Sequence, residues 1–164
     1  MARTQSAGVV MYRRRGLDLE VLLVHPGGPF WAAKDDGAWS IPKGEFAADE
    51  APATAARREF IEEIGLDPGD ALVPLAAVAQ SRAKIVYPFS VEGDLDPATI
   101  RSNAFTIEWP PRSGQMQSFP EVDRAAWFRL DEAREKIVAG QRAILDELGA
   151  RFATASPPAA YRMR

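Results

Sequence analysis

The sequence has no cysteine and a single histidine, His25, in 164 residues. Without thiols there is no disulfide and no thiolate-held metal. One histidine excludes a His-rich zinc site and speaks against a Ser-His-Asp triad. No apolar run approaches the roughly 20 residues that a membrane helix needs. The first residues, Met1-Ala2-Arg3-Thr4-Gln5-Ser6, lack the apolar core of a signal peptide. A soluble, cytoplasmic protein with no membrane partner is therefore expected. Charge of one sign is scarce too: 20 Lys and Arg against 23 Asp and Glu give a net charge of −3. No field of the whole molecule draws it onto nucleic acid, so a nucleic-acid partner is disfavoured. A small anionic substrate then needs local basic groups or a metal.

What remains for chemistry is carboxylate, with the oxygen-preferring metals that carboxylates bind. Apolar and β-branched runs at residues 8–12 and 19–25 suggest a hairpin, with Arg13, Arg14 and Arg15 at its solvated end. Residues 26–37 read as a loop. Trp39-Ser40-Ile41-Pro42 reads as a short extended piece, and residues 43–48 as a polar connection. A helix follows, with Asp49 as N-cap, Pro52 in its first turn and Gly65 as its stop. Ala53, Ala56, Phe60 and Ile64 give it an apolar stripe. Strands are expected over 72–81, 84–91, 104–109 and 126–128, and a helical segment over 131–148, interrupted at Gly140. Nothing divides the chain, so one domain over 1–150 is expected, with 151–164 as a loose tail.

Glu59, Glu62 and Glu63 stand at i, i+3 and i+4 of the first helix, which puts three carboxylates on one face. Acidic helix faces are commonly just solvated. Here the opposite face is apolar, so the helix is docked and the acidic face held still. Arg58 beside the cluster is placed to fix its geometry through forked bonds. Such a cluster suits Mg²⁺ or Mn²⁺.

The spacing Gly44, five residues, Glu50, seven residues, then Arg58-Glu59-Phe60-Ile61-Glu62-Glu63-Ile64-Gly65-Leu66 resembles the Nudix box at every specified position. Seven fixed identities give a chance match on the order of one in 10⁸ at any start. The resemblance implies an α/β fold, an α/β/α sandwich with a mixed β-sheet between helices. It implies a pyrophosphohydrolase using Mg²⁺ or Mn²⁺ to cleave a nucleoside diphosphate linked to another group. Position by position, Glu59, Glu62 and Glu63 would hold metal or the attacking water, with Glu62 or Glu59 accepting its proton. A backbone carbonyl at Lys43 or Gly44 would complete the shell, and Glu50 would pair with Arg58. The resemblance also allows a homodimer.

Trp39-Ser40-Ile41-Pro42-Lys43-Gly44-Glu45 is similar to the entry of diadenosine polyphosphate hydrolases. Lys43 is a candidate phosphate ligand there, or a surface lysine in a turn. Glu121 sits where those proteins carry a further metal-site glutamate, with Glu108 and Asp123 as rivals. Arg82 and Lys84 are candidates for the outer phosphates, or caps of a hairpin. Trp31, Trp39 and Trp109 are candidates for stacking on a base, or packing residues. The likeness to a bacterial branch of Nudix pyrophosphohydrolases extends over His25-Pro26-Gly27-Gly28-Pro29-Phe30-Trp31, Glu108-Trp109-Pro110-Pro111 and Phe119-Pro120-Glu121-Val122-Asp123. The expected substrate is a nucleoside or dinucleoside polyphosphate. The alternatives are a nucleotide sugar of the ADP-ribose type, an oxidised nucleotide, and a non-catalytic nucleotide-sensing module. The last usually has a damaged box, and here every box carboxylate is present.

Overall fold

Strict alternation decides the architecture. In the computed structural model, which describes residues 3–154, strand β1 (Thr4–Arg15) sends Ala7, Val9 and Met11 to one face and Val10 to the other. Strand β2 (Asp18–Pro26) does the same with Leu22 and Val24 against Val21 and Leu23. All of these are buried. A sheet apolar on both faces needs a cover on each. Helix α1 (Pro52–Ile64) covers one face through Ala55, Ala56, Phe60 and Ile64. Helices α2 (Leu130–Lys136) and α3 (Arg142–Thr154) cover the other through Ala133, Ile144, Leu145 and Leu148. Burying Phe60 and Ile64 stabilises the α1 face by about 1.5–3 kcal/mol each.

The remaining strands are β3 (Lys43–Glu45), β4 (Val73–Pro74), β5 (Val78–Ala79), β6 (Lys84–Glu92), β7 (Ala104–Glu108), β8 (Met116–Pro120) and β9 (Val122–Arg129). The main sheet runs β4-β6-β1-β2-β9, with β3 on β1 and β5 on β6. β1 and β6 are parallel, and the other pairings are antiparallel. This is the mixed-sheet α/β/α sandwich that the resemblance implies. β7 and β8 form a separate two-stranded hairpin.

Several local expectations are corrected. The arginines belong to β1, not to its turn, because Gly16 at φ 63° and Leu17 alone close the hairpin between Arg15 and Asp18. Arg13 binds Glu20 and Asp94, each at 2.8 Å. Residues 43–45 are a strand on β1 rather than a connection. The N-cap of α1 is Ala51, with no side-chain cap, and Ala53 is exposed. The buried stripe is shifted to Ala55, Ala56, Phe60 and Ile64. Only 73–74 and 78–79 pair within the expected strand 72–81, and β8 was not foreseen. The helical segment breaks after Lys136, and a 3₁₀ turn, Ala139–Gln141, precedes α3. α3 runs on to Thr154; the rest of the expected tail, 155–164, lies outside the described residues. Among the described residues no helix is long and apolar enough to cross a membrane.

Candidate functional site

The site is set by how α1 ends and what its last carbonyls bind. Gly65, at φ 85°, takes the left-handed cap conformation and donates to the Ile61 carbonyl at 2.8 Å. The neighbouring orphan carbonyls are met from a distant loop. Arg101 N–H donates to Ile64 O at 2.8 Å and Asn103 N–H to Glu62 O at 2.9 Å. The Asn103 carbonyl in turn accepts from the Glu121 N–H at 2.8 Å, and the Glu121 carbonyl from Gly27 N–H at 2.9 Å. Glu121 is thus tied to the backbone of Glu62 through one intervening residue.

The helix carboxylates occupy unequal environments. Glu59 is buried at 8% exposure, against β3. A Cβ on Gly44 would fall inside its carboxylate, so only glycine lets β3 and α1 approach this closely. Burial is the largest cause raising the Glu59 pKa, followed by the charge of Glu62. Glu63 accepts the Lys43 N–H at 3.2 Å. Burial, with smaller contributions from Glu59 and Glu121, pushes its pKa up to about 8. Glu62 stands further out, its side chain 35% accessible against 10% for Glu59.

Arg58 gathers these groups. Its Nε and Nη2 grip both oxygens of Glu50, at 3.0 and 2.9 Å, a forked pair. Its Nη1 donates to Glu59 at 2.8 Å and to Glu62 at 3.2 Å, and Nη2 reaches the Glu45 carbonyl at 3.4 Å. These bonds raise the pKa of Arg58 further above its already high value.

Beside the carboxylates opens a cavity of about 210 Å³, lined by Lys43, Glu63 and Glu121. Trp31, Ser40, Gln80 and Val138 line it too. Burial and the neighbouring Lys84 lower the pKa of Lys43, opposed by Glu63, Glu45 and Glu59.

The raised Glu63 pKa has a consequence for stability. A carboxyl near 8 in the fold and near 4.5 when unfolded favours folding fully below about pH 4.5. That contribution is lost as pH rises through 8. Metal-free protein should therefore lose stability between pH 5 and 8. Glu63→Gln should match it at pH 5 and melt at least about 3 °C higher at pH 8, roughly 1 kcal/mol in a chain of this size. Thermal melts in chelator across that range check this; parallel curves for the two proteins would sink it.

The model of the NUDIX domain matches residues 2–148. The chain belongs to the Nudix family of hydrolases. Among curated relatives, an octanoyltransferase of Myxococcus xanthus is 31% identical over 135 residues, 82% of this chain but 33% of that protein. An RNA pyrophosphohydrolase of Rickettsia africae (strain ESF-5) is 31% identical over 115 residues, 64% of this chain and 66% of the relative. The chain thus spans a third of the first protein and just under two thirds of the second. The C. elegans Ap4A hydrolase binary complex superposes with a TM-score of 0.61 at 21% identity, over 92% of this chain and 98% of that one. At that identity the likeness is one of fold.

Within this Nudix chain the site brings together Lys43, Gly44, Glu50, Arg58, Glu59, Glu62, Glu63, Glu121 and, through its charge on Lys43, Lys84. The three rival carboxylates separate. Asp123 is hydrogen-bonded to the buried His25 at 2.9 Å. Glu108 accepts the N–H groups of Arg112 and Gly114, each at 3.1 Å, in the hairpin loop. Only Glu121 lies at the cavity with Glu63. Arg82 is exposed in the turn before β6, outside the cavity lining. Trp31 lines the cavity, whereas Trp109 packs edge-on against Phe30, ring centroids 5.2 Å apart. Trp39 is core, buried edge-on against Phe128. Gln80 and Gln141 escaped the sequence reading. They meet only in the fold, 61 positions apart, and glutamine carries no motif of its own.

Proposed function

We propose that this Nudix chain hydrolyses a phosphoanhydride bond in a nucleoside polyphosphate or dinucleoside polyphosphate, in the cytosol, with Mg²⁺ or Mn²⁺. The observation that carries the reading is an undamaged box folded into one place, with Glu59, Glu62 and Glu63 beside a cavity that also holds Lys43 and Glu121.

The residues fit a hard divalent cation by the chemistry of the donor set. Glu59 and Glu63 are packed carboxylates whose pKa values are raised first by burial and then by neighbouring carboxylates, an environment that a bound cation would relieve. Arg58 engages Glu59 and Glu62, and among the described residues no three carboxylates yet converge on one ion position. Glu59, Glu62, Glu63 and Glu121, with a backbone carbonyl at Lys43 or Gly44, would hold the metal. When bound it supplies charge neutralisation and a more acidic water.

The chain's own part is positioning and proton transfer. Glu62, more accessible than Glu59, takes a proton from the attacking water. Water oxygen bonds to phosphorus as the bridging P–O bond breaks, and the leaving phosphate carries off the bonding pair. Lys43 and Lys84 offset phosphate charge. Glu50 keeps Arg58 aligned, so that Glu59 and Glu62 stay aimed. Residues 1–150 act as one domain in this reading.

A second reading is favoured by the relatives named RNA pyrophosphohydrolases. A triphosphate at an RNA 5′ end offers the same bond. It asks only for local contacts, so the net charge that disfavours binding along a nucleic acid does not exclude it. Nucleotide-sugar or oxidised-nucleotide cleavage and ligand sensing remain as competing outcomes of one experiment. A panel of these compounds and a 5′-triphosphate RNA is assayed for released phosphate with Mg²⁺ and with Mn²⁺. Turnover of nucleoside or dinucleoside polyphosphates that falls at least about 100-fold in chelator is expected. Binding without turnover across the panel would overturn hydrolysis in favour of a sensor.

A further inference from the structure

Gln141 is fully buried, and one backbone group fixes which way its amide points. The Ile41 N–H lies 3.1 Å from Gln141 Oε1, so that atom must be the oxygen. Nε2 is then turned to Ser40 Oγ at 2.9 Å and to Gln80 Oε1 at 3.0 Å. An amide N–H cannot bond another amide's N–H. Gln80 must therefore give its oxygen to Gln141 and turn its own amino group the other way.

Gln80 also lines the cavity. Among the described residues its Nε2 has no hydrogen-bond partner, and no buried side-chain polar atom lacks one, so the amino group is open to solvent or to a ligand. The backbone holds the pair in register. A Cβ on Gly140 would fall on the Gln80 carbonyl, so the 3₁₀ turn carrying Gln141 presses directly on Gln80. Val24, Ala38, Val138 and Trp31 supply apolar lining, and Lys43 lines the same cavity.

We propose that Gln80 determines base specificity by donating a hydrogen bond to the nucleobase, favouring bases with a ring carbonyl, such as 6-oxopurines, over 6-aminopurines. Gln141 is the positioning residue that sets the direction of the donor. A glutamine with both amide atoms free reads adenine bidentately. Here the oxygen is engaged by Gln141 and the donor faces the ligand. An amino group on the base would meet another donor, whereas a carbonyl finds a partner. The inference rests on the nucleotide reading for the class of ligand, and on the amide relay for the preference.

Titration calorimetry of GDP, IDP and ADP with Mg²⁺ tests it without requiring turnover. GDP and IDP should bind about 10-fold more tightly than ADP. Gln80→Ala should bring the ratio close to one by weakening GDP and IDP while leaving ADP unchanged. Gln141→Glu offers an acceptor to Gln80, which should turn its oxygen to the cavity and shift the preference toward ADP. Equal affinities in the wild type overturn the proposal. So does a Gln80→Ala variant that retains the ratio or weakens all three ligands alike. If the hydrolase reading alone fails, these ratios persist without product formation.

Discussion

Glu62→Gln should lower kcat by about 10²–10⁴-fold, the usual worth of a positioned proton acceptor, while leaving the melting temperature within a degree or two. The fold has little stake in this charge. The Glu62 side chain is about one-third accessible, and its bond to Arg58 is the longer of that group's two contacts to helix glutamates, 3.2 against 2.8 Å. A glutamine oxygen can still accept from Arg58, and the Glu62 carbonyl still receives Asn103 N–H. What disappears is the capacity to accept a proton from water. Steady-state kinetics on the best substrate of the panel, at saturating Mg²⁺ to separate metal affinity from turnover, check this. A variant within threefold of the wild type would remove Glu62 from the proton-accepting role. Glu59→Gln then becomes the deciding comparison, because Glu59 is the other candidate and its environment differs. It is buried against β3, so losing its charge should alter stability as well as rate.

The helix and its glutamates were legible because their signal is local. The three-and-four spacing, the terminal glycine and the fixed box identities all lie within 23 residues, from Gly44 to Leu66. Strands with long apolar, β-branched runs were legible for the same reason, as β1, β2 and β6 show. What escaped depends on pairing at a distance. β3 is three residues, polar and glycine-containing, and becomes a strand only because Gly8 lets it lie along β1; a Cβ there would meet the Pro42 carbonyl. β8 has no apolar alternation and exists by pairing with β7. The break after Lys136 was placed too late because Gly140 drew attention as a helix breaker. Its work is to let a turn press on Gln80. Likewise Glu121, Glu108 and Asp123 could not be separated by residue type. The backbone bonds from Glu62 through Asn103 to Glu121 separate them, and only the folded chain has these.

Gly44→Ala should cost about 10²-fold in kcat although it adds a single methyl group. Gly44 has no left-handed backbone that demands glycine; it is absent from the positive-φ residues and pairs with Ala7 in regular antiparallel register. By backbone alone, alanine would be neutral or slightly stabilising. The added Cβ, however, would fall within the Glu59 carboxylate. Neither partner can retreat easily. β3 is pinned to β1 by three paired positions, and α1 is pinned by fully buried Phe60 and Ile64. The side chain that must give way is Glu59, which then loses its 2.8 Å bond to Arg58 and its aim beside Glu62. An overpacking cost of about 1–3 kcal/mol should accompany the loss of rate. A double-mutant cycle isolates the cause. In a Glu59→Ala background the methyl group has room, so Gly44→Ala should cost almost nothing further in stability, giving a coupling of about 1 kcal/mol or more. Additive losses in that cycle, or a Gly44→Ala variant retaining more than a third of its turnover, would refute the view that this glycine serves the placement of Glu59.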